Sequence, residues 1–217
     1  MTPHRVFLTG GTGYIGSRLS ATLAARGYDV TALARKESQH KLPPNCRVFL
    51  GNALDGDSYA AAVAGADTFI HLIGVSHPSP AKARQFVEID LKSAQEAIRV
   101  AATAGIRHFV YLSVAQPAPV MHAYIEARKA GEQVLRASGL NATVLRPWYV
   151  LGPGHRWPYV LLPMYAIAKR IPGMRESALR LEPVTLRQML SALEAAVESP
   201  PTGIRVLEVP QIRTANS

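Results

Sequence analysis

The stretch YIEARK, residues 124–129, places a phenol on a predicted helix, with one cation four residues later and another five residues later. Neighbouring helix residues are rotated by about 100°, so Tyr124 and Arg128 share a face that Lys129 does not. A phenol beside a positive charge is an acid/base group that can donate a proton to a carbonyl. The competing interpretation is a half-buried aromatic next to a surface pair of Arg128 with Glu132, worth about 0.2 to 0.5 kcal/mol.

A second chemical signal is the stretch FLTGGTGYIGSRL, with glycines at positions 10, 11, 13 and 16. Residues without a Cβ let backbone amides approach a pyrophosphate, and a helix N-terminus adds free N–H groups and the positive end of its dipole. The stretch lies between a predicted strand and an amphipathic helix, the context that a dinucleotide site requires. The alternative is a glycine-rich turn without a ligand. The candidate cofactor contacts are Thr9, Gly10, Gly11, Thr12, Gly13, Tyr14, Ile15 and Gly16.

The end of the next predicted strand, TALARKE, bears on which nicotinamide cofactor binds. An acidic residue there would accept hydrogen bonds from the ribose hydroxyls and favour NAD. Arg35 and Lys36 occupy this place, and the first carboxylate of the stretch is Glu37. Two cations suit a 2′-phosphate, so the sequence favours NADP over NAD. The alternative is that one or both cations are solvated ends of a strand.

These and further segments make the chain similar to the short-chain dehydrogenase/reductase superfamily, in its extended and atypical branches. The resemblance covers nearly the whole chain. Its segments occur in the order that the superfamily uses: TGGTGYIG (9–16), GNALD (51–55), HLIG (71–74), YLSV (111–114), YIEARKAGEQVLRASGLNATVLRPWYVLGPG (124–154) and EPVTLRQMLSALEAAV (182–197). The chain looks most like small NAD(P)H-binding proteins related to NmrA-like regulators and to the nucleotide-binding accessory subunit of respiratory complex I.

The resemblance implies further cofactor contacts. Asn52 and Ala53 are expected beside the adenine, in a place where many relatives carry Asp. The path from adenosine to the phosphates is expected to be lined by Leu72, Ile73 and Gly74. Arg146 and Pro147 precede the loop that contacts the nicotinamide side in relatives.

The resemblance also implies a catalytic set of Tyr124, Ser113 and Arg128. In relatives that reduce carbonyls, a lysine four residues after the tyrosine lowers the pKa of that tyrosine and holds the nicotinamide ribose. Arg128 stands at the lysine position here. The guanidinium is bulkier and directs its hydrogen bonds differently, so this exchange is not conservative. Ser113 is expected to polarise the carbonyl, or else only to bond the local backbone.

The elements that must position these residues are short apolar runs alternating with helical patterns. The runs are Arg5–Thr9, Val30–Ala34, Arg47–Leu50, Thr68–Ile73, His108–Ser113, Ala142–Leu145 and Ile204–Val209. This alternation predicts an α/β fold, a Rossmann-type doubly wound parallel sheet, with a first helix over residues 13–26. One domain of 217 residues is expected, with the proline-interrupted segment 148–181 as a small irregular C-terminal substrate cap over the cleft.

Composition limits the partners. The net charge of +9 suggests an anionic partner, but no nucleic-acid-binding motif accompanies it, so no nucleic acid is expected. No histidine spacing puts two on one helix face with a carboxylate, and no metal is expected. The single cysteine, Cys46, predicts a small buried side chain. No stretch has the length and apolarity to span a bilayer or form a secretory signal, which predicts a cytoplasmic protein.

The segment 148–175 combines both tryptophans and several tyrosines with cations. It predicts a pocket for a small apolar or anionic substrate, a patch that rests on a membrane surface, or a cap packed into the core. The segment is expected to cover the nicotinamide end of the cleft and to supply most of the ligand selectivity, which replacement of Trp157 and Tyr159 would test. The favoured function is an NADP(H)-dependent oxidoreductase acting on a small carbonyl, quinone or related apolar molecule. The alternative is a non-catalytic NADP(H)-binding protein that senses redox state or stabilises a partner assembly.

Overall fold

The computed structural model describes residues 3–76, 78–154 and 160–215. In these ranges the strands are β1 (Arg5–Thr9), β2 (Asp29–Ala34), β3 (Arg47–Leu50), β4 (Thr68–His71), β5 (His108–Leu112), β6 (Ala142–Arg146), β7 (Val150–Leu151), β8 (Val184–Thr185) and β9 (Ile204–Glu208). Seven of them form one sheet in the order β3-β2-β1-β4-β5-β6-β9, and every pairing in it is parallel. β7 and β8 form a separate parallel pair. The first six positions match the Rossmann strand order.

Helices connect the strands. They are α1 (Gly16–Ala25), α2 (Ala60–Val63), α3 (Ala83–Gln85), α4 (Lys92–Thr103), α5 (His122–Ala137), α6 (Leu162–Ala168), α7 (Arg175–Arg180), α8 (Leu186–Glu198) and α9 (Val209–Thr214). A π-helical stretch, Phe86–Leu91, joins α3 to α4, and a 3₁₀ turn, Gln39–Lys41, follows β2. None of the helices in the described ranges has the length and apolarity needed to cross a membrane.

Alternate residues of each strand point to opposite sides of the sheet, and both sets are apolar, so the sheet has an apolar surface on each face. In β1, Val6 and Leu8 belong to the core cluster that includes Leu19 and Leu23 of α1. Phe7, between them, belongs to the cluster on the other face. The doubly wound α/β fold predicted from the sequence is therefore confirmed.

The observed element bounds differ from the expected ones by a few residues. The strands predicted as Thr68–Ile73 and His108–Ser113 end at His71 and Leu112. The first helix begins at Gly16 rather than residue 13, because the earlier glycines form the turn that precedes it. Cys46 is buried, as predicted.

The segment after β6 packs on the ends of the sheet through short elements. Tyr165 and Ala168 of α6 form a small apolar cluster with Ala178 of α7. Nε of Arg180 donates to the carbonyl of Pro117, in the loop after β5, at 3.1 Å. Trp157 and Tyr159, the two residues of the predicted selectivity segment chosen for its test, lie outside the described residues.

Candidate cofactor and active site

A cleft of about 570 Å³ opens at the carboxyl ends of the strands. The phosphate loop contributes Gly10, Thr12 and Gly13 to its lining, and the end of β2 contributes Arg35. Ligands of open parallel sheets bind at this edge, where the strand order reverses. In this sheet the reversal lies between β1 and β4, so the phosphate loop stands at the expected place for a dinucleotide.

Two glycines let the phosphate loop fold tightly. Gly10 has a φ of +80°, and a Cβ on it would lie 2.8 Å from the carbonyl carbon of Leu72. A Cβ on Gly16 would overlap the carbonyl oxygen of Gly10. Because α1 begins at Gly16, its N-terminal N–H groups and the positive end of its dipole lie beside the loop. The glycines of the loop and the free N–H groups at the start of α1 therefore fit a bound pyrophosphate.

Other predicted cofactor residues of the loop support it from behind. Thr9 is fully buried, and its hydroxyl lies 2.8 Å from Nδ1 of His71. Gly11 is buried against β2, and Ile15 packs on the core. Tyr14 lies against Gly152, where a Cβ would overlap its hydroxyl. The remaining predicted contact near the nicotinamide side, Pro147, is buried, and its carbonyl accepts a hydrogen bond from the Ala115 amide at 2.9 Å.

The adenosine side of the cleft carries two cations. Among the residues that the structure describes, the lining includes Arg35, Ser38 and Lys41 but not Lys36. The hydroxyl of Ser38 donates to the carbonyl of Arg35 at 3.2 Å, and the 3₁₀ turn Gln39–Lys41 then brings Lys41 to the cleft. The pattern at the end of β2 does not mark Lys41, because Lys41 lies beyond the first two cations, Arg35 and Lys36. Its signal was a third cation within the same loop.

The adenine-side and wall residues implied by the resemblance also line this cleft. Asn52 and Ala53 follow β3, and the Asn52 side chain accepts a hydrogen bond from the Leu54 amide at 3.1 Å. Leu72, Ile73 and Gly74 follow β4 and form the opposite wall. The structure therefore brings these five residues to one cavity with the phosphate loop.

Arg128 is buried beneath this wall. Its Nη1 donates to the carbonyl of Leu112 at 2.9 Å and its Nη2 to that of Ile73 at 3.0 Å. Its Nη2 also lies 2.8 Å from Oδ1 of Asp90, and the two side chains are 3% and 0% exposed. A Cβ on Gly74 would overlap Nη2 of Arg128. The guanidinium therefore ties the ends of β4 and β5 together, directly behind the cleft.

Asp90 was missed by sequence analysis because it comes from the π-helical stretch. Burial raises the pKa of Asp90, while the charge of Arg128 opposes that rise. Its Oδ2 accepts the Val75 amide at 3.0 Å. The surface pair of Arg128 with Glu132 that the helical spacing allowed is wrong, since Arg128 turns inward to Asp90.

Glu132 instead accepts hydrogen bonds from several side chains, the first of which is the hydroxyl of Ser113. Ser113 donates to its Oε1 at 2.7 Å, and Gln116 donates to the same oxygen at 2.9 Å. Arg146 adds two hydrogen bonds, from Nε at 2.9 Å and from Nη2 at 2.5 Å. The sequence signal for Glu132 was a carboxylate among the apolar positions of α5. Its carboxylate compensates the positive charge of Arg146.

Tyr124 is half-buried at the start of α5. Its ring centroid lies 5.1 Å from that of Phe86, and the Cζ atom of Arg128 lies 5.3 Å from it. Lys129 points to another side and pairs with Glu126 at 3.0 Å, as the helical rotation predicts. Tyr124 and Arg128 therefore come together, while Ser113 belongs to the adjacent Glu132 network.

His71 lies at the end of β4, behind the same wall. Burial, with a smaller effect of the charge of Arg128, lowers the pKa of His71 to about 3. Its imidazole stacks on Tyr111 with centroids 5.8 Å apart. It is therefore a neutral part of the core at physiological pH.

Comparison with known proteins identifies the family. The model of an NAD(P)H-binding family matches residues 10–159. The chain belongs to this NAD(P)H-binding family. This match supports the resemblance to the extended short-chain dehydrogenase/reductase type. A solved structure described as a short-chain dehydrogenase/reductase superfamily protein of Agrobacterium tumefaciens, 17% identical with a TM-score of 0.67, shares the fold.

Curated relatives of this NAD(P)H-binding chain include a ceramide reductase of Caulobacter vibrioides, 27% identical over 92% of this chain and 62% of that protein. The uncharacterized sugar epimerase YhfK of Bacillus subtilis is 32% identical over 66% of this chain and 71% of that protein. A 3 beta-hydroxysteroid dehydrogenase/isomerase of Mycobacterium tuberculosis is 33% identical over 50% of this chain. The chain spans 31% of that last relative.

The fold has similar solved structures. The dTDP-glucose 4,6-dehydratase DesIV of Streptomyces venezuelae, with NAD bound, superposes with a TM-score of 0.70 at 20% identity, covering 97% of this chain and 79% of that one. The enzyme WbmH of Bordetella bronchiseptica, in complex with NAD+, gives 0.70 at 20% identity, covering 94% and 75%. These likenesses show the shared fold.

Proposed function

We propose that this protein is an NADP(H)-dependent oxidoreductase that reduces a carbonyl, quinone or related group of a small apolar molecule. The observation that carries the proposal is that the Tyr124 ring lies over the guanidinium of Arg128. That guanidinium is held directly behind the wall of the dinucleotide cleft by the carbonyl of Ile73. The names of relatives support the substrate class, since they include a ceramide reductase, a hydroxysteroid dehydrogenase and a ketoreductase.

Tyr124 is proposed as the proton donor at its phenolic oxygen. A bound nicotinamide supplies the hydride chemistry. The guanidinium of Arg128 lies 5.3 Å from the phenol ring and attracts the negative charge that develops as the proton leaves. Arg128 also holds the carbonyls of Ile73 and Leu112, so it keeps the cleft wall in place.

Ser113 is proposed to polarise the substrate carbonyl, which requires its hydroxyl to exchange Glu132 for the substrate. A hydrogen bond is worth about 0.5 to 1.5 kcal/mol net, more when it is made to a charged group. Glu132 keeps its bonds from Gln116 and Arg146 when Ser113 turns away. The carboxylate is therefore not left unpaired, which lowers the cost of the exchange.

NADP is proposed as the preferred cofactor because Arg35 and Lys41 both line the adenosine side. Positive side chains at this position suit the 2′-phosphate of NADP, whereas an acidic side chain would accept hydrogen bonds from the ribose hydroxyls of NAD. Lys36, the exposed neighbour of Arg35, is a matched control for Lys41. NADPH is expected to protect the protein against heat more than NADH does, and Lys41→Ala to reduce that difference more than Lys36→Ala.

A second candidate function is non-catalytic NADP(H) binding, because the Ser113 proton is already donated to Glu132 and Arg128 is held by Asp90. The test is oxidation of NADPH with a panel of apolar ketones and quinones. Tyr124→Phe should lower the rate at least about a hundredfold while NADPH affinity stays within a few-fold. NADPH binding without turnover of any substrate class would favour the non-catalytic function.

The proposed single domain with a cap over residues 148–181 has its own test. The described part of that segment reaches the loop after β5 through the bond from Arg180 to Pro117. In a substrate-bound structure, residues of the segment should contact the substrate. A substrate bound without them would remove the cap from the proposal.

A further inference from the structure

The outer side of α6 and the turns after it are apolar and exposed. Met164 and Ile167 are 54% and 60% exposed, and Ile171 and Met174 continue the exposed row. Met164 and Ile167 are three residues apart within α6, which places them on one side of that helix. Ile171 and Met174 lie in the turns that follow it. The opposite side, with Tyr165 and Ala168, is buried.

Unpaired positive charge accompanies this apolar row. Residues 160–180 contain four Lys or Arg and one carboxylate, Glu176. Lys169 pairs with Glu182, and Arg180 pairs with Glu176. Arg170 and Arg175 are exposed, and neither forms an ion pair with a residue in the described ranges. Two exposed cations without an ion pair in the described ranges, Arg170 and Arg175, therefore accompany the apolar row.

We propose that this surface, Met164, Ile167, Ile171 and Met174 with Arg170 and Arg175, rests on an anionic lipid surface. An amphipathic helix lies in the interface with its apolar side among the acyl chains and its cations at the headgroups. Each cation near an anionic surface contributes a modest attraction that salt screens. Charge complementarity selects lipid phosphate over a neutral partner. The inference is independent of the proposed oxidoreductase activity.

Sedimentation of the purified protein with phosphatidylcholine vesicles containing phosphatidylglycerol tests this surface. The protein should bind them at least tenfold more strongly than pure phosphatidylcholine vesicles. Met164→Ser/Ile167→Ser should lower binding at least tenfold. The matched control is Val48→Ser/Val87→Ser, because these valines are 42% and 55% exposed elsewhere, and it should bind as the original protein does.

The charge contribution has a separate control. Arg170→Gln/Arg175→Gln should weaken vesicle binding several-fold at low salt, and the difference should shrink as salt rises. Arg84→Gln/Lys129→Gln removes the same charge from exposed positions elsewhere and should have little effect. Equal losses in both pairs would overturn the proposal, because binding would then depend on net charge alone.

A gain of signal keeps the test independent of variant stability. In Ile167→Trp, added anionic vesicles should shift the tryptophan emission to shorter wavelength, whereas Val48→Trp should show no added shift. Absence of sedimentation and of an emission shift would overturn the proposal. A concentration-dependent dimer that Met164→Ser/Ile167→Ser breaks, without vesicle binding, would overturn it in favour of self-association.

Discussion

Removing the buried charge of Arg128 should lower the free energy of unfolding strongly. In Arg128→Met the carboxylate of Asp90 stays buried and loses its partner, which lies 2.8 Å away. Breaking one half of a buried ion pair costs about 3 to 5 kcal/mol. At about 2 to 4 °C per kcal/mol for a domain of this size, the melting temperature should fall by about 6 to 20 °C.

The comparison variants separate charge from packing. Arg128→Met/Asp90→Asn removes the unpaired charge and should recover about 1 to 3 kcal/mol of the loss, because the amide oxygen can still accept the Val75 amide. Arg84→Met breaks an exposed pair with Glu88 and should cost no more than about 0.5 kcal/mol. Urea unfolding at pH 7.5 measures all three. A loss below about 1 kcal/mol in Arg128→Met would refute the assigned role of the pair.

Three further perturbations test other parts of the structure. Glu132→Gln should lower the free energy of unfolding by about 1 to 3 kcal/mol in urea, since its buried network loses the charge that Arg146 faces. Burial also lowers the pKa of His108 to about 4, so both buried imidazoles, His71 and His108, bind protons more weakly when folded. Stability should therefore fall by about 1.4 kcal/mol per imidazole from pH 7.5 to 5.5, and a flat profile would contradict this burial. Gly10→Ala should weaken NADPH binding at least about tenfold by calorimetry, whereas Gly139→Ala, also at positive φ but with open space around it, should not.

The sequence predicted the sheet well because its strands are short apolar runs, and the central ones are buried on both faces. Arg5–Thr9 and Arg47–Leu50 have the expected bounds, and the others differ by one or two residues. Apolar runs of this kind depend on local composition, which the sequence displays directly. The phosphate loop was predicted equally well, because its glycines are required where a Cβ would clash with neighbouring backbone, and their spacing is recognisable in the sequence.

The side-chain partners were less predictable because they depend on long-range packing. Asp90 lies 38 positions before Arg128, in a π-helical stretch that no periodic sequence pattern marks. Glu132 pairs with Arg146 and not with Arg128 because of the way α5 is placed relative to β6. Helical spacing alone gave Arg128 the wrong partner.

A crystal structure with NADP(H) bound tests the central claim most directly. The account predicts the pyrophosphate against Gly10 and Gly13, the 2′-phosphate between Arg35 and Lys41, and the Tyr124 hydroxyl facing the space beside nicotinamide C4. A dinucleotide bound elsewhere, or a Tyr124 hydroxyl turned away from the nicotinamide, would contradict it.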